Sequence, residues 1–159
     1  MTCNWVVISL RFESHLAAAP DTVWRRVTSV DGIADEMTPL LRMTFPRGMQ
    51  TLPVDGVMPG QKLCRSWLLL LRVLPVDWSD LTLVELEPGR LFRERSPMLS
   101  MAFWQHERIV SPSARGTIVV DNLSFRPRLL PRVLARASVA LFFRHRHARL
   151  RRRFGKGTP

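Results

Sequence analysis

The sequence predicts an α+β fold, a curved antiparallel sheet of about six to seven strands wrapped around a long C-terminal helix. Three observations carry this expectation. Strand-like segments follow one another closely with turn residues between them, and parallel pairing would need long crossovers that are absent here. Residues 131–154 contain no glycine and no internal proline, as a long helix requires. The chain has 159 residues, 46% of them apolar, which suits one globular core and is too short for two full-sized domains.

The elements are expected in the following order. Residues 5–14 alternate Val6, Ile8, Leu10 and Phe12 in the manner of a half-buried strand. Ala19-Pro20-Asp21 ends it, and Asp21 serves as N-cap or first-turn acid for a short helix with Val23, Trp24 and Val27 on one side. A second short helix is expected over residues 32–37, then a strand over 40–45. Residues 46–60 hold three prolines and three glycines, a loop long enough to form a lid. Strands follow over residues 61–74, 79–87, 91–96, 101–111 and 116–126. Turns are expected at Pro75-Val76-Asp77, Glu87-Pro88-Gly89-Arg90 and Ser111-Pro112-Ser113. Within the first of these strands, Trp67, Leu69, Leu71 and Val73 alternate with Leu68, Leu70, Arg72 and Leu74. A strand apolar on both sides reads as central and covered on both faces, the alternative being contact with a partner chain. On the last helix, Leu134, Ala137, Leu141, His145 and Ala148 share a face at helical spacing and are expected to cover the sheet. Residues 1–154 thus read as one domain, with 149–159 a basic extension of its last helix.

Composition excludes several classes. No apolar run approaches the roughly 18–20 residues of a membrane span, and the N-terminus lacks the basic flank of a signal peptide. A cytoplasmic home is the expectation. Two cysteines, Cys3 and Cys64, exclude a disulfide scaffold and a four-cysteine zinc site. His145 and His147 lie two apart on different helix faces and cannot grip a metal together, so no metal and no cofactor is predicted. The GxSxG, HExxH, P-loop and dinucleotide glycine patterns do not occur. Nor is there any tyrosine, which removes the phenolic acid of a steroid-isomerase or cyclase-like mechanism.

On its motifs the chain resembles the START-like superfamily of helix-grip proteins, also called the SRPBCC or polyketide cyclase/dehydrase and lipid-transport group. The resemblance spans almost the whole chain: Phe12-Glu13-Ser14-His15-Leu16 and Ala19-Pro20-Asp21-Thr22-Val23-Trp24, then Trp104-Gln105-His106-Glu107-Arg108, Gly116-Thr117 and Asp121. It closes on Phe142-Phe143-Arg144-His145-Arg146 and Leu150, pieces similar to a bacterial branch of the superfamily. It implies a helix-grip fold holding an apolar small molecule between sheet and long helix. Some members are enzymes and many are carriers or sensors, and fold does not decide which.

The last hairpin carries the chemistry. Pairing Val110 with Thr117 around a turn at residues 111–116 sets His106 opposite Asp121, Arg108 opposite Val119 and Trp104 opposite Leu123, with Arg108 diagonal to Asp121. The face bearing these residues is taken as interior because its aromatic and aliphatic members are larger. Asp121 would then orient His106 and leave its other ring nitrogen for a ligand oxygen. The plainer reading, which the sequence favours, is a cross-strand ion pair that fixes register. The expected ligand-binding set is Phe12, Trp67, Trp104, His106, Arg108, Asp121 and Leu141. His106 and Asp121 are the candidates if any reaction occurs, a cyclase- or dehydratase-like one with His106 as general acid/base. Met37, Met43, Met49, Met58, Met98 and Met101 offer a soft cavity mouth or plain gap filling, the latter favoured.

Charge is unevenly placed. Lys and Arg number 24 against 13 Asp and Glu, and no acid follows Asp121, so the net +11 lies wholly in residues 126–159. A solvated tail is the first expectation. Attraction of Arg149, Arg151, Arg152 and Arg153 to an anionic membrane surface is the second. Nucleic acid is disfavoured, because no recognised fold or exposed aromatic set accompanies the charge. The expected partner is a small apolar ligand, and binding is favoured over catalysis.

Overall fold

The computed structural model describes residues 6–53 and 58–157. Its elements run β1 (Ile8–Leu16), α1 (Pro20–Val27), α2 (Val30–Met37), β2 (Leu41–Met43), β3 (Lys62–Leu70), β4 (Leu74–Glu87), β5 (Leu91–Glu94), β6 (Met101–Ser113), β7 (Gly116–Pro127) and α3 (Arg132–Phe154). The strands form one antiparallel sheet in the order β1-β7-β6-β5-β4-β3-β2. β4 pairs with β3 through its first half and with β5 through its second, and register shifts interrupt the β3–β4, β4–β5 and β6–β7 ladders. Such bulges bend strands and strengthen twist, so the sheet curls. The curl gives α3 a trough to lie in. Cys3 and Trp5 lie outside the described residues, as do residues 54–57 of the expected lid.

Local chemistry accounts for the helices. Pro20 opens α1 and Asp21 sits in its first turn, while the Ser29 hydroxyl caps α2 by accepting from the Gly32 N–H at 3.0 Å. α3 has no side-chain cap and holds its place by burying Ala135, Val139, Phe143 and Leu150. That face differs from the expected one. Leu134 and Leu141 are exposed, at 55% and 63%. Both faces have helical spacing, and the buried one was hidden because it also carries Arg146 and His147.

Two turns also fall elsewhere than expected. The β3–β4 reversal is at residues 71–73, not at Pro75-Val76-Asp77. Pro75 pairs opposite Leu69 beside a bulge, where a missing N–H is tolerated. The β6–β7 reversal is at Ala114-Arg115, because Ser113 pairs with Gly116. Pro112 lies past the end of the β5–β6 ladder, so it costs no bond on that side. A Cβ at Gly116 would stand 2.0 Å from the Leu16 carbonyl oxygen, so only glycine fits where β1 crosses this turn.

β3 is second from the sheet edge, and one of its faces is open to solvent, with Trp67 48% exposed. The first half of the 46–60 loop is a fixed wall rather than a free flap. Its backbone is tied to the α1–α2 turn by Val30 N–H to Gln50 O and Leu52 N–H to Thr28 O, each 2.8 Å. Beyond α3 the chain returns to the sheet, since Gly157 N–H donates to His15 O at 2.9 Å and Lys156 bridges Leu16.

Candidate functional site

The buried apolar residues fall into three clusters. One joins α1 to the sheet through Val23, Trp24, Val27 and Phe92. Another joins α3 to β7 through Val139, Phe143, Leu123 and Phe125. The third joins α2 to β3 and β4 through Ile33, Met37, Cys64 and Leu81. They meet through half-buried side chains, Leu63 between the first and third and Phe142 between the second and third, without filling the space they enclose. A cavity of about 340 Å³ remains between them, lined by Val27 and Phe92 of the first, Val139 and Phe143 of the second, and Ile33, Met37 and Leu81 of the third. Met43, Met98 and Met101 add unbranched thioether walls. Of its lining residues, Val76, Leu130 and Ser138 are exposed and mark the mouth. At the inner end stand His106, Glu94 and Arg146.

Behind that end lies a buried network of charges. Asp121 on β7 accepts from Arg108 Nε at Oδ1 and from Arg108 Nη2 at Oδ2, both 2.7 Å, a bidentate pair between directly opposed residues. Arg108 Nη1 reaches both oxygens of Glu36 on α2 at 2.9 Å. Glu36 also accepts from Arg146 on α3, whose Nε lies at 3.0 Å and Nη2 at 2.8 Å. Two histidines complete the set. His106 Nε2 is 2.9 Å from Asp121 Oδ1, and His147 Nε2 is 3.0 Å from Asp121 Oδ2. His147 Nδ1 meets the Ser14 hydroxyl at 2.7 Å, and that hydroxyl accepts from Arg151 at 2.8 Å. The network thus ties β1, β6, β7, α2 and α3 together.

Opposite charges alternate through the network. The carboxylates of Glu36, Asp121 and the half-buried Glu94 face two guanidiniums, Arg108 and Arg146, and the His106 ring lies between Glu94 and Asp121. Burial opposes the charged form of His106, but the Asp121 and Glu94 carboxylates outweigh it and raise the imidazole above its ordinary value. Burial likewise opposes ionisation of Asp121, yet Arg108 and then His106 hold it well below the usual carboxylate range. Glu94 is also lowered: desolvation is outweighed by His106, with help from the Trp104 N–H and Arg146. Removing one partner from such a cluster leaves an uncompensated buried charge, at a cost of about 3–5 kcal/mol.

The seven expected ligand residues separate into groups. Trp104 and His106 line the cavity. Arg108 and Asp121 are wholly buried behind it and do not reach its wall. Phe12 stacks on Phe143 at 5.8 Å and belongs to the packing around α3 rather than to the cavity. Trp67 and Leu141 point away from it, because β3 turns Leu68 inward instead and α3 turns Phe142 and Phe143 inward. The hairpin register is displaced by two residues from the expected one, so Arg108, not His106, faces Asp121 and His106 faces Leu123. A shift of two preserves the faces, so His106 still reaches the carboxylate diagonally. Its second nitrogen, Nδ1, stands 3.5 Å from Glu94 Oε1, the residue opposite it on β5, longer than a normal hydrogen bond, and the ring borders the cavity.

Of the expected anion-surface residues, Arg149 pairs with Asp35 and Arg151 with Ser14, while Arg152 and Arg153 stay exposed. Sequence reasoning missed Glu36, Glu94, Arg146, His147 and Ser14. The available signal was spacing: residues 135, 139, 143, 146, 147 and 150 form a regular helical stripe in which two polar residues interrupt apolar ones.

A family described as "Domain of unknown function (DUF8410)" matches residues 14–154. The chain belongs to this family. No curated protein matches it. Among solved structures, a Chromobacterium violaceum protein is similar with a TM-score of 0.65 at 15% identity, over 89% of this chain and 96% of that one. A START superfamily protein from Mycobacterium smegmatis gives 0.62 at 10%, over 93% and 96%. The Zhui aromatase/cyclase from a Streptomyces species gives 0.59 at 17%, over 96% and 100%. These likenesses establish a START-like helix-grip fold. In this DUF8410 chain the matched span begins at Ser14 and ends with α3, so it contains every residue of the charge network and of the cavity's inner end.

Proposed function

We propose that this DUF8410 chain binds a small, largely apolar molecule in the cavity under α3, as a carrier or sensor rather than as a catalyst. The observation that carries this is the 340 Å³ void where the three hydrophobic clusters part, with apolar walls and a charged inner end. That size lies at the lower end of small-molecule sites, and apolar walls with a few convergent polar groups are how such sites gain affinity and orientation. Glu94 and Arg146 are the cavity groups that would orient a polar end of the ligand.

A cyclase- or dehydratase-like reading would draw on the likeness to an aromatase/cyclase and on His106. Geometry weighs against it. Nε2 is taken by Asp121, and Nδ1, 3.5 Å from Glu94, would have to exchange a proton with a bound molecule in competition with that carboxylate.

Native mass spectrometry of freshly purified protein is expected to reveal a co-purifying small molecule. Leu41→Trp, which extends a cavity wall residue into the void, should weaken binding of that molecule at least about tenfold without unfolding the chain. A His106→Ala variant that still folds should keep most of the affinity, whereas an enzyme would bind and lose turnover. Full retention of affinity in Leu41→Trp would remove the cavity as the binding site.

A further inference from the structure

The mouth of the cavity is bordered by two segments that a soluble surface does not ordinarily carry. At the β3–β4 reversal, Leu71, Val73 and Leu74 are exposed, Val73 at 79%. Before and within the first turn of α3, Leu130, Val133 and Leu134 are exposed, Val133 at 78%. Contiguous apolar surface of this kind marks an interaction site. The two segments flank one opening. Val76 and Leu130 line the same cavity, and Leu129 N–H and Arg128 N–H donate to Ser100 O, whose own residue is held by the Asp77 carboxylate next to Val76.

The reversal itself is unusual. Leu71 and Arg72 have φ of 48° and 71°, the left-handed region in which hairpin turns favour asparagine and glycine. Bulky side chains held there cost backbone energy, and such outliers cluster at functional positions.

Charge selects the partner. Residues 67–76 and 126–138 contain no acidic side chain, while Arg72, Arg128 and Arg136 are exposed among the apolar ones, and Arg132 beside them donates to the Val6 carbonyl. A second copy of this chain is a poor fit, because a two-fold contact would set the arginines against one another with no carboxylate between. An anionic bilayer suits both features, with hydrocarbon for the leucines and valines and phosphates for the guanidiniums.

We infer that the cavity mouth docks on an anionic lipid surface through the β3–β4 reversal and the start of α3, so that the cavity opens toward the bilayer. This moves the membrane contact away from the basic tail. Arg152 lies roughly 28 Å along the helix from Val133, several Debye lengths at physiological salt.

The test is co-sedimentation of the full chain with vesicles of phosphatidylcholine alone and of equal parts phosphatidylcholine and phosphatidylglycerol. Sedimentation with the mixed vesicles only is expected. The pairs Leu71→Ser with Val73→Ser, and Arg72→Glu with Arg128→Glu, should each lower partitioning about tenfold or more. Arg152→Glu with Arg153→Glu should change it less than about twofold. These positions are exposed, so circular dichroism and melting should stay as in the wild type. The inference is overturned if the wild type ignores the mixed vesicles, or if the tail pair abolishes binding while the mouth pairs do not. It is equally overturned if ultracentrifugation shows a dimer that the mouth pairs dissociate. A chain that retains its ligand in native mass spectrometry yet ignores vesicles removes the docking and leaves the cavity reading in place.

Discussion

Asp121 is the residue on which the site turns. It sits wholly buried and receives a bidentate arginine and two histidines. Three elements, β6, β7 and α3, meet at it, so its carboxylate works as a joint between sheet and helix. His106 gives this a measurable consequence. Its folded value is raised above the ordinary 6.5, so its protonated ring contributes stability fully below about pH 6.5, and that contribution is lost as pH rises through the raised value. Thermal melting of wild type and His106→Gln should therefore differ most in mild acid, and the gap should narrow toward alkaline pH. A gap that widens with pH would show that the ring is buried neutral. For Asp121 and Glu94 the sign is opposite, since both are lowered: their stabilisation is present above the ordinary carboxylate range and fades as acid reaches their folded values.

At the scale of elements, α3 decides the geometry. Its inward stripe of Ala135, Val139, Phe143, Arg146, His147 and Leu150 walls the cavity and closes the charge network at once. Phe143 also touches His106 edge-on at 5.2 Å and carries the Arg146 guanidinium over its ring at 5.1 Å. Phe143→Ala should cost about 3–5 kcal/mol in urea denaturation, whereas Leu141→Ala, two residues away and exposed, should stay within about 0.5 kcal/mol. Equal losses would mean that the helix is turned differently. The sequence could not choose between these faces by hydrophobicity, because Arg146 and His147 make the buried stripe look solvated. Glu36 and Asp121, supplied by α2 and β7, together with Ser14 of β1, give those two groups their buried partners. The β6–β7 hairpin was more legible. Strand period alone put Trp104, His106, Arg108, Val119, Asp121 and Leu123 on one inner face, and a two-residue error in register left that face unchanged.

At the scale of the whole molecule, a buried cluster of opposite charges braces one end of an apolar void, so on the proposed reading stability and binding share the same groups. A molecule that fills the void and has no affinity for the unfolded chain should stabilise it by about 2.7 kcal/mol at a hundredfold excess over Kd. Differential scanning calorimetry with and without the co-purified molecule reads this directly, and an unchanged Tm at saturating concentration would show that the molecule has no preference for the folded chain. No helix among the described residues is long and apolar enough to cross a membrane. Among the described residues, the longest runs of exposed large apolar side chains, at 70–76 and 129–134, border the mouth on segments without acids.

Order and type of the elements, the antiparallel sheet, the terminal helix and the meeting of His106, Arg108 and Asp121 were all determined by local information: side-chain period, turn residues and the distance a hairpin allows. Tertiary structure alone decided which face of α3 is buried and which of Trp67 and Leu68 turns inward. It also decided that Glu94 and His147 join the site and that Glu36 reaches Arg108 from 72 residues away in the chain. The reason is physical. A charged group can be interior only when its counter-ion arrives from another element, and the strand or helix that carries it holds no record of that partner.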